Sequence, residues 1–465
     1  MSKAELKSYL IIGAVCAEFR FQGIKMAVKV CKFGGTSMAD ADIIKSVKNI
    51  IESDGDRRFV VVSAPGKRYS GDKKITDMLF GCHKELINSG NCTKSFSAVR
   101  ARFKDIADRL EIKSDFNAVL DETLCRIVKE KSEQFTVSRG EYLCARLVAE
   151  YLEFEFIDTE KVVFFNDDGT LNGEKTYKAV ASVANVVRRA VFPGFYGVDD
   201  NGKVRTFSRG GSDISGAIVA RAVNASVYEN WTDVPGFLAC DPHIVESPKI
   251  IEALSYKELR ELSYMGAGVL HSESIFPVRK ANIPIQIKNT FRPQDKGTTI
   301  VPTSRYLPDG STVTGIAGKK NFTVIFIEKS LMNAEIGFVR KILSVIESEN
   351  ISVEHIPTGI DTVSLIIENE HLTELKLNRI LEGIKCEVEP DFIRVIENIA
   401  LIATVGHGMS SSVGTSARLF NAIANADINI KMIDQGSSEL NIVVGVKNED
   451  YERCINAIYY EFFGN

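Results

Sequence analysis

Ala27-Val28-Lys29-Val30-Cys31-Lys32-Phe33-Gly34-Gly35-Thr36-Ser37 is the stretch that decides how this chain folds. A short apolar run passes into a lysine, two glycines and two hydroxyls, and a helix is expected from Asp42 to Ile51. A strand that ends this way offers bare backbone N–H groups to a phosphate. The glycines remove side chains that would block close approach, and the following helix would add its positive N-terminal dipole. Lys32, read as an exposed loop lysine, adds a mobile point charge. The lysine precedes the glycines, so this is not the Walker arrangement, and a glycine pair after a strand also serves as a plain tight turn.

Two more segments repeat the theme. Phe207-Ser208-Arg209-Gly210-Gly211-Ser212-Asp213 follows a plausible strand, Val204-Arg205-Thr206, and precedes a helical run from Ile214 to Val223. Asn230-Trp231-Thr232-Asp233-Val234-Pro235-Gly236 carries the single tryptophan at another polar strand end. In open α/β sheets, ligands bind outside the carboxyl ends of the strands. Three such ends bearing a Lys, an Arg and two Asp point to one shared cleft.

The rest of the chain sets the frame. At 465 residues it exceeds one core, so two or three domains are expected. The formal net charge of −4, with no basic block, argues against nucleic acid as the main partner. Nine cysteines are scattered, without C-x-x-C or zinc-type spacing, which fits free thiols in a reducing cytoplasm. Residues 1–25 contain Tyr9 to Ala17, an apolar run too short to cross a bilayer, and are read as an upstream extension that could mark an alternative translation start. No membrane association is expected.

Residues 26–305 alternate strands and helices. Phe59-Val60-Val61-Val62-Ser63-Ala64 reads as a buried parallel strand; Ile157, Val162–Phe165, Ala190–Phe192, Ser226–Trp231 and Ile283–Ile287 supply others. From Asp77 to Glu150 the pattern is helical, an insertion on the edge of the α/β domain. From Thr312 the chain repeats itself at a constant offset of 77 residues. Val324-Ile325 falls on Leu401-Ile402, Gly337 on Gly414, Ile351-Ser352-Val353 on Ile428-Asn429-Ile430, and Val363–Ile367 on Leu440–Val444. Each copy, 312–391 and 396–465, reads as a ferredoxin-like βαββαβ module. The two are expected to pack sheet to sheet or edge to edge.

These motifs, together with the terminal Gln435-Gly436-Ser437-Ser438-Glu439, resemble the aspartate kinase family within the wider amino-acid kinase fold. The resemblance runs from Met26 to the C-terminus and is closest to the single-chain, lysine-regulated type. It implies an α/β architecture: an αβα sandwich with a mainly parallel sheet, followed by tandem ACT modules. It implies the reaction of Mg-ATP with L-aspartate to give 4-phospho-L-aspartate and ADP, the first step of lysine, threonine and methionine biosynthesis. A carboxylate nucleophile is already ionised at neutral pH, so no general base is needed, and the site must supply charge neutralisation and in-line positioning.

By resemblance, Lys32 is the β/γ-phosphate cation, with Gly34, Gly35, Thr36 and Ser37 around the phosphates and Thr232 and Asp233 on the nucleotide side. Arg209 would clamp the substrate α-carboxylate through its planar fork. Glu141, in Ser138-Arg139-Gly140-Glu141, would hold the α-ammonium; without the family it reads as a solvated glutamate at a helix N-terminus. Ser63, Thr76 and Ser212 would contact substrate or phosphate, although Thr76 equally suits a helix cap. Asp213 would orient Lys32, help place Mg²⁺, or cap its helix. In the first ACT copy, Met332, Glu335, Gly337, Phe338, Val353 and Glu354 match effector positions. Glu354, facing the Gly337 turn, offers a carboxylate to a cationic effector, where the second copy has Lys431; lysine, threonine or both remain open. A homodimer or dimer of dimers through the ACT modules is expected.

Three positions depart from the family pattern. An aromatic residue is replaced at Leu238, an arginine at His243, and a lysine at Gly268, before a His271 read as structural. Lys249 or Lys257 could compensate. These departures keep open an amino-acid-sensing protein with a degenerate kinase domain; another amino-acid kinase is the alternative within enzymes.

Overall fold

The structure is a computed structural model that describes residues 27–208, 210–268, 270, 274–306 and 311–464. The expectations for residues 1–25, Arg209 and His271 therefore lie outside the described residues. The chain divides into two compact units: one runs through Asp233 and takes in Ile283–Ile285, and the other holds Val234–Asn282 and everything from Gln286 onward.

The described residues of the first unit form strands β1 (Lys29–Phe33), β2 (Arg57–Val62), β3 (Glu155–Phe156), β4 (Ala190–Pro193), β5 (Tyr196–Val198), β6 (Val204–Thr206) and β7 (Val227–Thr232). Its main sheet runs β7-β1-β2-β4-β3 with every neighbouring pair parallel. Residues 283–285 continue it beyond β7, where the Tyr228 N–H donates to the Pro284 carbonyl at 3.0 Å. Val30, Cys31, Phe33 and Phe59–Val62 are buried because both faces of a parallel sheet are covered. β5 and β6 form a separate antiparallel hairpin. Val162–Phe165, expected as a strand, makes only isolated bridges at Phe164 and Phe165.

The helical insertion comprises Ile75–Ser89, Thr93–Arg109, Phe116–Glu130 and Glu133–Leu152. It is not confined to an edge. Leu79, Phe96, Phe103, Leu120 and Leu143 share one core with Cys31, Phe33, Val60 and Val62, so the insertion covers a sheet face. Helix Glu133–Leu152 is buried along most of its length, which carries Glu141 into the interior.

In the second unit, Ala253–Ser255 and Thr298–Val301 are neighbouring parallel strands. The repeated segments build one five-stranded antiparallel sheet, ordered Thr362–Glu368, Gly315–Glu328, Phe392–Val405, Asn441–Lys447, Met432–Asp434. Two 14-residue strands pass through both copies, with an irregularity near Lys319–Phe322 marking the changeover. Gly315–Lys319 pairs with Leu401–Val405, so the opening residues of the first copy pair with a strand of the second. The copies are thus joined through shared strands rather than stacked sheet to sheet. The match of Gly337 to Gly414 has a backbone cause: both are helix N-caps with φ of 82° and 89°, a region that favours glycine.

Candidate active site

In the first unit, the carboxyl ends of β1, β2 and β7 and the helix Gly211–Ala222 converge on Lys32. Lys32 is a strand residue, 8% exposed, and its position contradicts the reading as an exposed, mobile loop lysine. Its Nζ lies 2.6 Å from Asp213 Oδ1 and donates to Asn230 Oδ1 at 3.4 Å. The Asn230 amide in turn donates to Asp213 Oδ1 at 3.0 Å. Register explains the meeting, because Lys32 and Asn230 are opposite each other in the β1–β7 pair. Asp213 is therefore no cap; it sits in the first turn of its helix and orients the lysine. The strand-end motif alone does not disclose this role for Asn230; the available signal is a polar residue in a buried strand.

The backbone frame is tight. The Gly34 N–H donates to the Trp231 carbonyl at 3.0 Å, and the Gly66 N–H to the Gly35 carbonyl at 2.8 Å. A Cβ at Gly66 would lie 2.7 Å from the Gly35 carbonyl carbon, so only glycine lets the loops after β1 and β2 abut. Gly66 was missed; the Ala64-Pro65-Gly66 run after a strand was the available signal. A short 3₁₀ turn, Thr36–Met38, separates the glycines from helix Ala41–Glu52. That helix is capped by Asp40, whose carboxylate accepts from the Asp42 and Ile43 N–H groups at 2.9 and 3.0 Å. Its dipole is met by its own aspartate, contrary to expectation. The helix Gly211–Ala222 instead begins at Gly210, φ 58°, with no side-chain cap, which leaves the dipole argument to this terminus. Ser37 is fully buried, whereas Thr36 is half-buried.

Around this centre lie the other candidates. Ser63 directly follows β2, its N–H on the Phe33 carbonyl at 3.1 Å. Thr76 is the second residue of helix Ile75–Ser89, whose N-cap is Lys74, so it does not cap. Ser212 sits against Gly194, where an added Cβ would meet its Oγ at 2.6 Å. The Thr232 hydroxyl donates to Asp233 Oδ1 at 3.2 Å.

Glu141 is not at a helix N-terminus in solvent. It lies inside Glu133–Leu152, 6% exposed, and among the described residues its Oε2 has no hydrogen-bond partner. Gly140 beside it would bring a Cβ within 2.8 Å of Ala64 Cβ, which is how the helix comes so close to the loop after β2. Burial pushes the Glu141 carboxyl up to about 8, against a backbone hydrogen bond from Ala64 that pulls it down. A buried carboxyl with one oxygen unsatisfied is a ready acceptor for a cationic group.

In the second unit, Leu238, His243 and Gly268 line a single cavity of about 260 Å³, together with Asp241, Ala317 and Tyr451. The three departures from the family pattern are thus one spatial cluster. Neither Lys249 nor Lys257 lines it.

The expected effector positions have mixed surroundings. Met332 and Phe338 are core residues of the first copy, and Val353 packs against that core. Glu335 pairs with Lys329 at 3.0 Å and Lys341 at 2.6 Å. The Glu354 carboxylate accepts from the Tyr264 hydroxyl. Tyr264 ends the helix Tyr256–Tyr264, which is also tied to the sheet by buried Glu258, accepting from Thr314 Oγ1 at 2.6 Å and the His407 N–H at 3.0 Å.

Among the described residues no helix is long and apolar enough to cross a membrane. The amino acid kinase family model matches residues 27–289, more than half the chain, and an ACT domain model matches 402–462. Aspartokinase 3 of Bacillus subtilis is 37% identical over 94% of this chain and 99% of its own length. The crystal structure of Clostridium acetobutylicum aspartate kinase superposes with a TM-score of 0.85 at 47% identity, covering 94% of this chain and 100% of that one. Escherichia coli aspartokinase III with aspartate and ADP gives 0.73 at 26% identity, covering 94% and 100%; with lysine and aspartate it gives 0.71 at 27%, covering 94% and 99%. The chain belongs to the aspartokinases, the ATP-dependent aspartate kinases of the amino acid kinase family.

Proposed function

We propose that the Lys32 centre carries phosphoryl transfer from ATP to the β-carboxylate of L-aspartate, giving 4-phospho-L-aspartate and ADP. The observation that carries this assignment is the Lys32–Asp213–Asn230 node, which fixes a cation at the ends of β1 and β7 beside an uncapped helix N-terminus. Lys32 neutralises charge on the transferring phosphoryl, and the Gly34–Ser37 backbone cradles the phosphates. Glu141 holds the substrate α-ammonium and Arg209 the α-carboxylate; Ser63, Thr76 and Ser212 complete the substrate contacts. Thr232 and Asp233 serve the nucleotide. Mg²⁺, when bound with ATP, neutralises phosphate charge; such ions are held by one or two carboxylates plus phosphate oxygens, and Asp213 fits that donor set. A coupled assay of ADP release with and without aspartate tests the reading, which fails if release does not depend on aspartate.

Arg209→Lys keeps the charge but loses the fork. Aspartate KM should rise at least tenfold, with ATP KM little changed. A parallel rise in both would make Arg209 a phosphate ligand.

Regulation rests on the repeated modules. Lysine is the proposed effector, bound at the first copy, with the chain acting as a homodimer or dimer of dimers in the cytoplasm. The supporting features are the E. coli relative's lysine complex and a Glu354 carboxylate that accepts a phenol hydrogen bond from Tyr264. A lysine side-chain ammonium would compete with Tyr264 for that carboxylate. Glu354→Ala should move the lysine inhibition curve to at least tenfold higher concentration, which corresponds to about 1.4 kcal/mol of differential affinity. An unchanged curve places the effector elsewhere.

A further inference from the structure

The helical insertion sends one arginine back into the frame of the candidate active site. Arg102, on helix Thr93–Arg109, is 4% exposed. Its Nη1 donates to the Gly66 carbonyl at 3.2 Å and the Ala39 carbonyl at 3.4 Å. Its Nη2 donates to Asp72 Oδ2 at 2.5 Å and the Lys73 carbonyl at 3.4 Å. One planar group thus holds three pieces of backbone. Ala39 ends the turn that follows the phosphate-loop glycines. Gly66 is the residue whose N–H fixes the Gly35 carbonyl. Lys73 leads into the helix that carries Thr76.

A plain buried ion pair does not account for this arrangement. Asp72 is already met by Arg68, through its backbone N–H at 3.1 Å, its Nε at 2.9 Å and its Nη2 at 3.3 Å. Arg102 adds a second cation to one carboxylate, and desolvation weakens its hold on the proton. A surplus buried charge is costly unless hydrogen bonds satisfy it. The carbonyls of Ala39, Gly66 and Lys73 do so, and in return their orientations are set by the guanidinium. Lysine could neutralise Asp72 but, as a point donor, could not span the same set of carbonyls.

We propose that Arg102 is a positioning residue: it holds the Gly35–Ala39 and Gly66–Lys73 backbones in the mutual register that phosphoryl transfer requires. This rests on the reading of the Lys32 centre given above. Arg102 touches no reacting atom; it acts through the Gly66–Gly35 hydrogen bond. Displacements of about 1 Å in such a frame cost about a hundredfold in rate.

The test compares Arg102→Lys with wild type in three readouts: kcat and both KM values well below the unfolding temperature, thermal midpoint, and hydrogen exchange of the Gly66 amide. The expected result is a kcat lowered tenfold to a hundredfold, a midpoint within a few degrees of wild type, and a Gly66 amide that exchanges at least tenfold faster. Wild-type kcat and wild-type Gly66 protection in a folded variant would overturn the proposal. So would a loss of activity that only follows the folded fraction. If Arg102→Lys does not fold, the same readouts on Asp72→Asn decide. That variant leaves the guanidinium but loosens its anchor, and kcat and Gly66 protection should fall together. An unchanged kcat there overturns the proposal. Wild type without aspartate-dependent ADP release would instead sink the reading of the site, and the Gly66 exchange would still report on the clamp.

Discussion

Replacing Lys32 with alanine is expected to lower kcat by about a thousandfold, the effect of removing one preorganised charge from a transferring phosphoryl group. The mutation also has a structural cost. Lys32 is buried and its Nζ sits 2.6 Å from Asp213, so alanine leaves a largely buried carboxylate with the Asn230 amide as its remaining partner in the node. Leaving a charged hydrogen-bonding group short of a partner costs about 2 kcal/mol. The thermal midpoint should therefore fall by several degrees while the enzyme remains folded at assay temperature. Kinetics at saturating ATP and aspartate, beside a melting curve, separate the two effects. Turnover within tenfold of wild type in a folded Lys32→Ala variant removes this residue from the mechanism. Asp213→Asn is a useful companion, because it frees the lysine without deleting it. Its kcat should fall less than that of Lys32→Ala, since the cation remains but is no longer aimed.

The parts of this site that were legible in the sequence are those carried by local chemistry. Glycines, hydroxyls and charges clustered at strand ends announced the Lys32, Asp213 and Thr232 segments, and alternating strand and helix patterns announced the α/β class. What lay hidden depends on contacts between distant residues. Lys32 and Asn230 meet across 198 positions only because β1 and β7 are in register. The need for glycine at Gly66 comes from the Gly35 backbone pressed against it, and nothing in Ala64-Pro65-Gly66 alone distinguishes that from an ordinary turn. The helix dipole was assigned to the wrong helix because Asp40, one residue before Ala41, reads equally as a loop residue or a cap. The 77-residue repeat was visible, yet its consequence was not. Periodicity marks where strands recur but not that Gly315–Glu328 and Phe392–Val405 are each long enough to serve both copies.

Glu141 gives the second large effect, and it is a pH dependence. Its carboxyl is pushed up to about 8 by burial, so it is mostly protonated at neutral pH in the ligand-free enzyme. The sign for stability follows from linkage. The folded state holds this proton more tightly than the unfolded chain, so the contribution of Glu141 is fully present below the unfolded value and is lost as pH rises through about 8. The full difference is on the order of 5 kcal/mol. Glu141→Gln, which stays neutral, should flatten that part of the stability profile. Substrate reverses the preference. An α-ammonium beside the unpartnered Oε2 favours the carboxylate, so aspartate binding should release a proton. At pH 7 about one-tenth of the sites are ionised, a tenfold penalty on apparent affinity. Aspartate KM should accordingly fall about tenfold between pH 7 and pH 9, with ATP KM nearly flat over that range. Glu141→Gln should abolish this slope and raise aspartate KM by about a hundredfold, the usual scale for removing one partner of a buried charge pair. If log KM for aspartate is flat from pH 6.5 to 9, the ammonium is held by another group; if the slope survives in Glu141→Gln, the titrating carboxyl is not this one.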